Sequence, residues 1–273
     1  MGGQRTAFVL GGGGILGATQ VGMLRALIEA GVRPDVVVGT SVGALNGALV
    51  ASDPTDSAID ALTGLWTSMS RSEVFSGNLV TRARTLAQHG THLHSSAPLR
   101  RLLAASLPER FEDLPVPFEC VAASVQRAAA HWFTSGPLVE AVLASCAVPG
   151  LLPPVRIGDE HYLDGGLVHS IPVGRAVALG ARTVYVLHVG RVERPLRPPR
   201  RPWEVGLVAF EIARRHRYVE EMAAVPEGTR VVVLRSGTED TPLVSLRYRD
   251  TSRVADRIER AYQASREVLE DAA

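Results

Sequence analysis

Residues 6–17 read TAFVLGGGGILG, a short apolar run that ends in a cluster of glycines. A second apolar run at 35–38 leads into the pentapeptide GTSVG at 39–43. Between the two, residues 18–30 carry apolar side chains at helical spacing, and Gly31 follows as a C-terminal cap. Strand, glycine loop, helix, strand, tight turn and helix in this order are typical of a doubly wound sheet. The stretch therefore predicts an α/β fold.

The rest of the chain repeats this alternation of strands and helices. Helices with short breaks are predicted over 55–110, and irregular loops over 149–154 and 191–202. The other predicted elements are strands over 118–126, 131–134, 160–163, 183–189 and 230–234, and helices over 137–146, 203–224 and, after a cap at Ser252, to about 270. We predict a single domain over 1–273, with a motif-bearing core at about 5–190 and a C-terminal helix–strand–helix at about 203–271.

The composition is that of a globular chain, since 46% of the 273 residues are apolar and 21% are charged. Basic and acidic residues balance at 29 against 28, so no overall charge points to a nucleic-acid partner. Cys120 and Cys146 are too few for a disulfide framework and are predicted to be reduced and buried. We recognise no export signal or membrane-spanning run, and therefore expect a cytoplasmic protein.

The pentapeptide at 39–43 carries the first candidate for catalysis. A serine between a strand and a helix lies on a sharp turn, where its Oγ projects above the helix N-terminus. Glycines on both sides keep the turn free of Cβ atoms that would crowd it. Ser41 is therefore a candidate nucleophile, with Gly39 and Gly43 as flanking motif residues. Because G-x-S-x-G is common, a small-residue turn without chemistry is the alternative.

The glycine cluster formally matches the dinucleotide-binding pattern as Gly12-x-Gly14-x-x-Gly17. That pattern also needs an acidic residue at the end of the second strand, whereas Asp35 stands at its start. The residues therefore favour an oxyanion hole, in which backbone N–H groups face a nucleophile at the neighbouring strand end. No cofactor is expected.

Asp164 precedes Gly165 and Gly166 at the end of a short predicted strand. It is either a turn residue or the base that a serine nucleophile needs. In the usual order of α/β-hydrolases a histidine follows late in the chain, and His188 and His216 are the two candidates. His188 falls inside a predicted strand and His216 on a predicted helix, so we interpret both as structural.

Four segments, taken together in their order and spacing, resemble the patatin-like phospholipases. They are residues 10–17 (LGGGGILG), 39–43 (GTSVG), 144–150 (ASCAVPG) and 164–172 (DGGLVHSIP). The resemblance implies a three-layer α/β/α sandwich with a mainly parallel central sheet. It also implies hydrolysis of acyl esters of lipids, commonly phospholipids, with no metal in the chemistry.

The resemblance further implies a Ser–Asp dyad in place of a triad. Ser41 matches the family's nucleophile and Asp164 its base, while the amides of Gly13 and Gly14 match the oxyanion donors. We assign Gly12 to the same oxyanion hole. On this hypothesis Ser41 attacks the ester carbonyl and Asp164 passes its proton to the leaving alcohol. Water then releases the fatty acid from the acyl-enzyme.

Two places depart from the family pattern. Leu16 stands where relatives usually carry Arg or Lys, which favours neutral or small acyl esters over phospholipids. His169 and Ser170 stand where the family often has asparagines. His169 either tunes the basicity of Asp164 or is a plain loop substitution, and the second is our interpretation.

Three functions are weighed on these residues. The first is a lipid acyl hydrolase of the phospholipase A or esterase type. The second is an acyltransferase or thioesterase that uses the same acyl-enzyme but passes the acyl group to an alcohol or thiol. The third is a non-catalytic lipid-binding protein, and the intact Ser41, Asp164 and glycine loop argue against it.

Two surfaces are candidates for lipid contact. The apolar loop at 151–154 and the helices of 55–110 are candidates for lining an acyl groove. The arginine-rich stretch 191–201, with Trp203 beside it, is a candidate for peripheral contact with an anionic membrane, and a solvated loop is the alternative. The expected partner is thus a lipid or small acyl ester.

A small histidine cluster invites a metal interpretation. His89, His92 and His94 lie close in sequence, but no fourth ligand is evident and the spacing matches no standard site. We predict a polar loop and no metal.

Overall fold

The computed structural model describes residues 5–71, 91–189, 195–237 and 253–272. Its first elements are β1 (Thr6–Leu10), α1 (Ala18–Glu29), β2 (Val36–Thr40), α2 (Val42–Ser52), α3 (Asp56–Arg71) and α4 (Ala97–Ser106). They are followed by β3 (Phe118–Ser124), β4 (Ala129–Phe133), α5 (Leu138–Ser145), β5 (Val155–Ile157), β6 (Glu160–Asp164), α6 (Val173–Ala178), β7 (Thr183–Leu187), α7 (Pro202–Ala223), β8 (Arg230–Val233) and α8 (Val254–Asp271). Short 3-10 turns span Gly14–Gly17, Phe111–Asp113 and Gly165–Leu167.

The described strands form one mixed sheet in the order β5-β6-β3-β2-β1-β7-β8, with β4 also paired to β3. Neighbours from β3 through β8 in this order run parallel, whereas β4, β6 and β5 join antiparallel. The mainly parallel sheet that was expected is therefore confirmed. Strand β5 and helix α6 were not predicted, because elements of three and six residues are too short to show a period.

The sheet separates two apolar layers, as the alternation of side chains along β1 illustrates. Phe8 and Leu10 join the larger core beneath α1 to α5 and α8. Ala7 and Val9 point to the opposite face and join the smaller core beneath α6 and α7. Because successive side chains of a strand point to opposite faces, helices cover both sides of the sheet. The three-layer α/β/α sandwich is thus confirmed.

Most predicted elements are found within a few residues of their expected bounds. The helical region expected at 55–110 contains α3 and α4, and the positions 72–90 between them lie outside the described residues. Ser252, expected as the cap of the last helix, and positions 191–194 of the expected loop also lie outside them. Residues 195–200 have no regular structure, as expected. None of the described helices combines the length and the apolarity needed to cross a bilayer.

Two strands meet end to end along one edge of β3. Cys120 and Val121 pair with both β2 and β4, so β2 and β4 lie on opposite edges of β3. Residues 122–124 pair with both β4 and β6, so β6 lies on the same edge as β2. Strand β2 ends opposite Val121 and β6 ends opposite Ala122. Because these two strands run in opposite directions, their carboxyl ends face each other, and this places Ser41 beside Asp164.

Candidate active site

Ser41 lies on a strained turn between β2 and α2. Its backbone has φ 55° and ψ −125°, a conformation that a residue with a side chain rarely adopts. The residue is only 6% exposed. A strained strand-to-helix turn of this kind projects the side chain out of the sheet's carboxyl edge, as the G-x-S-x-G pattern predicts.

The glycines beside Ser41 permit a close approach of backbones. A Cβ atom on Gly43 would lie 2.1 Å from the carbonyl oxygen of Leu10. One on Gly39 would lie 2.5 Å from the carbonyl oxygen of Gly43. Only glycine therefore fits at both positions, and helix α2 can begin directly against the end of β1.

The hydroxyl of Ser41 donates a hydrogen bond of 2.6 Å from its Oγ to Oδ2 of Asp164. The other carboxylate oxygen of Asp164, Oδ1, accepts from the N–H of Gly166 at 2.7 Å. Asp164 itself is 2% exposed. Burial raises the pKa of this carboxyl to about 6, although the hydrogen bonds from Ser41 and Gly166 act to lower it. The Asp164 carboxylate is therefore a stronger base than an exposed aspartate.

Ser145 supports the backbone of the turn at Ser41. Its Oγ accepts a hydrogen bond of 2.8 Å from the N–H of Ser41, and its side chain is fully buried. This residue belongs to the segment ASCAVPG at 144–150, yet the sequence analysis gave it no role. The nearest signal was the presence of a serine among apolar residues of a buried helix.

The glycine loop lies directly against Ser41. A Cβ on Gly12 would be 3.3 Å from Cβ of Ser41. The N–H of Gly12 donates a hydrogen bond of 2.8 Å to the carbonyl oxygen of Ser170, so this N–H already has a partner within the protein. Gly12 thus contacts the turn and uses its N–H within the fold, so the oxyanion donors that we propose below are those of Gly13 and Gly14.

The next two glycines differ from Gly12 in their surroundings. Gly13 and Gly14 are exposed, and within the described ranges neither N–H donates to another backbone or side-chain group. Gly14 begins a 3-10 turn, and the first N–H groups of such a turn have no partner inside it. The N–H groups of Gly13 and Gly14 therefore stay candidates for binding an anion.

A buried polar network fixes both ends of this loop. Nε2 of Gln20 donates to the carbonyl oxygen of Gly11 at 2.8 Å, and Nδ2 of Asn46 donates to that of Gly17 at 3.0 Å. Asn46 also donates to Oε1 of Gln20 and accepts from Nε1 of Trp66. The sequence analysis missed this network, because single polar residues on helices are usually exposed.

The remaining motif glycines also lie where a side chain would collide. A Cβ on Gly17 would be 2.2 Å from Cγ2 of Val42, and one on Gly165 would be 2.1 Å from the carbonyl oxygen of Val121. One on Gly166 would be 2.9 Å from Oδ1 of Asp164. Gly17 thus lets the glycine loop pack against α2, while Gly165 and Gly166 let the loop after β6 pack against β3 and α7.

The two histidines considered as alternative bases, His188 and His216, each lie near a polar group other than Ser41. Strand β7 ends at Leu187, so His188 lies just beyond the strand. The prediction that His188 lies inside the strand is wrong. The apolar Val189 had extended the predicted strand too far. Nδ1 of His188 lies 3.2 Å from the carbonyl oxygen of Val189. His216 is exposed on α7, with Nε2 3.4 Å from Oε1 of Glu220.

His169 joins the loop after Asp164 to helix α7. Its Nδ1 lies 2.7 Å from Oε1 of Glu221, and its ring centroid lies 5.3 Å from that of Trp132. Its carbonyl oxygen accepts from Oγ1 of Thr40 at 2.7 Å. The side chain thus ties two elements together, while the hydrogen bonds of the Asp164 carboxylate come from Ser41 and Gly166.

Among the described residues, the two cysteines and the histidine cluster form no reactive thiol and no metal site. Cys120 and Cys146 are buried, and burial raises the pKa of both thiols, so they stay neutral. His89 lies outside the described residues, and Nδ1 of His92 lies 3.0 Å from Oγ1 of Thr91. Across the described ranges, no group of three His, Cys, Asp or Glu side chains could hold a metal ion.

The protein is thus a three-layer α/β protein that has a serine–aspartate pair at the carboxyl edge of its sheet. The family described as Patatin-like phospholipase matches residues 8–177. The chain belongs to the patatin-like phospholipase family, which confirms the resemblance drawn from the four segments.

Two curated relatives show how far the similarity extends. Patatin-like phospholipase domain-containing protein 7 of Rattus norvegicus is 35% identical over 190 residues, which is 69% of this chain and 14% of that protein. Lysophospholipase NTE1 of Phaeosphaeria nodorum is 32% identical over 196 residues, 70% of this chain and 12% of that protein. The chain thus spans about an eighth of these relatives. Among solved structures, VipD from Legionella pneumophila aligns with a TM-score of 0.48 and 13% identity, covering 98% of this chain and 67% of that one.

Proposed function

We propose that this chain hydrolyses carboxylic ester bonds of lipids, as an acyl hydrolase of the phospholipase A or esterase type. The observation that carries the proposal is the 2.6 Å hydrogen bond between Oγ of Ser41 and Oδ2 of Asp164. Membership of the patatin-like phospholipases, and a relative named a lysophospholipase, support a lipid ester as the substrate.

In the first step, Oγ of Ser41 forms a bond to the ester carbonyl carbon and its proton moves to Oδ2 of Asp164. An exposed aspartate is a weak base for a serine hydroxyl. Burial favours the protonated form of Asp164 and raises its pKa to about 6, which brings its basicity closer to that required. The serine and its base begin the reaction already hydrogen-bonded.

The carbonyl oxygen becomes negatively charged in this step. We assign its stabilisation to the N–H groups of Gly13 and Gly14, because both residues are exposed and directly follow Gly12, which contacts Ser41, and because within the described residues neither N–H donates to another group. Removing one such donor costs about 3–4 kcal/mol of transition-state stabilisation in enzymes where it has been measured. Hydrogen bonds from Gln20 and Asn46 hold the two ends of the loop, which limits the rearrangement of these donors when charge develops.

The second half of the reaction restores the enzyme. Asp164 returns the proton to the departing alcohol as the bond between carbonyl carbon and alcohol oxygen breaks, which leaves an acyl group on Ser41. Water then attacks the acyl carbon, and its proton passes through Asp164 back to Oγ of Ser41. The products are a fatty acid and an alcohol, which is a lysolipid when the substrate is a phospholipid.

A serine-reactive fluorophosphonate probe tests the proposal directly. We expect the wild-type protein to be labelled and Ser41→Ala to be unlabelled, with Ser57→Ala, an exposed serine on α3, labelled as wild type. A panel of p-nitrophenyl esters and phospholipids then defines the substrate. Absence of labelling and of turnover in the wild type would contradict an enzyme, and acyl transfer to an added alcohol in preference to water would indicate an acyltransferase.

The pH dependence of ester hydrolysis provides a second test. Asp164 must be ionised to accept the proton, and burial raises its pKa to about 6. We therefore expect kcat/KM of the free enzyme to rise with pH through about 6 and to level off above it. The measurement is a pH–rate profile with a soluble ester. A rise that is instead abolished by His188→Gln would identify a histidine base and contradict the dyad.

A further inference from the structure

Helix α7 presents an apolar stripe to solvent. Val205, Ile212 and Val219 are 54%, 54% and 60% exposed, among the most exposed large apolar side chains of the described residues. They recur every seven residues and therefore lie on one side of the helix. Ala209 and Ala223, also exposed, fall on the same side, as does the exposed His216, which interrupts the apolar stripe. The stripe extends along roughly 20 Å of helix.

The opposite face of α7 is anchored beside the proposed active site. The ring of Phe210 packs on Gly166, where a Cβ would lie 2.9 Å from its Cζ. Glu221 binds Nδ1 of His169 and accepts from the N–H of Gly174 at 2.8 Å. The outer stripe thus lies about one helix diameter, roughly 10 Å, above the loop that follows Asp164.

Basic side chains adjoin the start of the stripe. Arg197, Arg200 and Arg201 are all exposed and come directly before or at the cap of α7. Each basic residue near an anionic lipid surface contributes about 1 kcal/mol of binding. An apolar helix face next to basic residues is the pattern of a helix that lies in the plane of a membrane interface.

We propose that the outer face of α7 and the arginines before it rest on a lipid bilayer that contains anionic lipids. This inference rests on the proposed function, because a lipid hydrolase must reach substrate in an aggregated phase. A second copy of the chain is the alternative occupant of the stripe, and the experiments below distinguish it from a bilayer.

Vesicle sedimentation of the Ser41→Ala protein tests the surface without hydrolysis. The vesicles consist of phosphatidylcholine alone or with added phosphatidylglycerol. We expect the triple variant Val205→Ser, Ile212→Ser and Val219→Ser to bind mixed vesicles at least tenfold more weakly. The matched control is Val125→Ser, which changes an exposed apolar residue outside α7 that is 50% exposed, and it should bind as the parent does.

The arginines are tested separately. Arg197→Gln together with Arg200→Gln should weaken binding to mixed vesicles by roughly tenfold or more and change binding to neutral vesicles little. Unchanged binding by the triple variant, or equal binding of the parent to both vesicle types, would overturn the proposal. So would a dimer in sedimentation velocity that the triple variant dissociates, since the occupant would then be a second copy.

Turnover of a soluble ester, compared with turnover on vesicles, distinguishes failure of this inference from failure of the proposed function. With Ser41 intact, the triple variant should hydrolyse a water-soluble short-chain ester as the wild type does and lose turnover only on vesicles. A protein that binds vesicles as expected but hydrolyses no ester would contradict the proposed function alone. Loss of soluble-ester turnover in the triple variant would show that the stripe serves the fold and would overturn the membrane surface.

Discussion

Asp164→Asn is expected to reduce kcat for ester hydrolysis by roughly 10⁴-fold, the loss seen when the acidic member of a serine hydrolase site becomes an amide. The amide cannot take the proton of Ser41, although it keeps the size of the carboxylate. Because Oδ2 of Asp164 is the atom that accepts from Oγ of Ser41, the variant removes the base that faces the serine hydroxyl. The measurement is turnover of a soluble ester at pH 8, where the wild-type base is ionised.

The same substitution should stabilise the fold at neutral pH. The pKa of Asp164 is about 6 in the folded protein because the carboxyl is buried, whereas an unfolded aspartate has a pKa near 4. The folded state therefore holds a proton that the unfolded state has lost between these values, and stability falls as pH rises through this window. Above it the ionised carboxylate costs about 3 kcal/mol, and a neutral amide does not carry that cost.

Thermal unfolding at pH 4 and at pH 7 measures this effect. We expect Asp164→Asn to unfold at a higher temperature than the wild type at pH 7, with the difference much reduced at pH 4. Asp159→Asn is the control, since that side chain is fully exposed and should change neither stability nor turnover. Near-wild-type turnover in Asp164→Asn would exclude a dyad.

The first half of the fold could be predicted closely because its boundaries are marked by glycines. Strand β1 ends at the glycine cluster, and α1 ends just before Gly31, which has φ 75°. The end of β7 could not be located in this way, since no glycine stands directly after Leu187, where pairing with β1 ends, and the apolar Val189 follows His188. Local pattern identifies a strand, but the partner strand decides where it ends.

The candidate active site was harder to predict from the residues alone than the fold. Spacing and chemistry indicated Ser41 as a nucleophile, but they left the base open between an aspartate and a histidine, and only the family resemblance pointed to Asp164. Their contact depends on β2 and β6 meeting end to end along β3, a register that no local pattern contains. The support from Ser145 was missed for the same reason, because its partner is 104 residues away.

The largest stability loss is expected for Gly43→Ala. The new methyl group would lie 2.1 Å from the carbonyl oxygen and 2.5 Å from the carbonyl carbon of Leu10, and 2.8 Å from the carbonyl oxygen of Gly11. All three are backbone atoms of β1 and its loop, so no side-chain rotation can relieve the contact. We expect the free energy of unfolding to fall by about 3 kcal/mol or more and the midpoint temperature by roughly 6 °C or more.

Gly64→Ala separates this contact from the general effect of replacing a helical glycine. Gly64 is exposed in α3, and a Cβ there would meet nothing within 4 Å, so alanine should stabilise the helix by up to about 1 kcal/mol. Opposite signs for the two substitutions in denaturant unfolding are the expected result. Equal stability of Gly43→Ala and the wild type would mean that α2 does not press against β1. The close approach between the first turn of α2, which directly follows Ser41, and the start of the glycine loop would then not be needed for the fold.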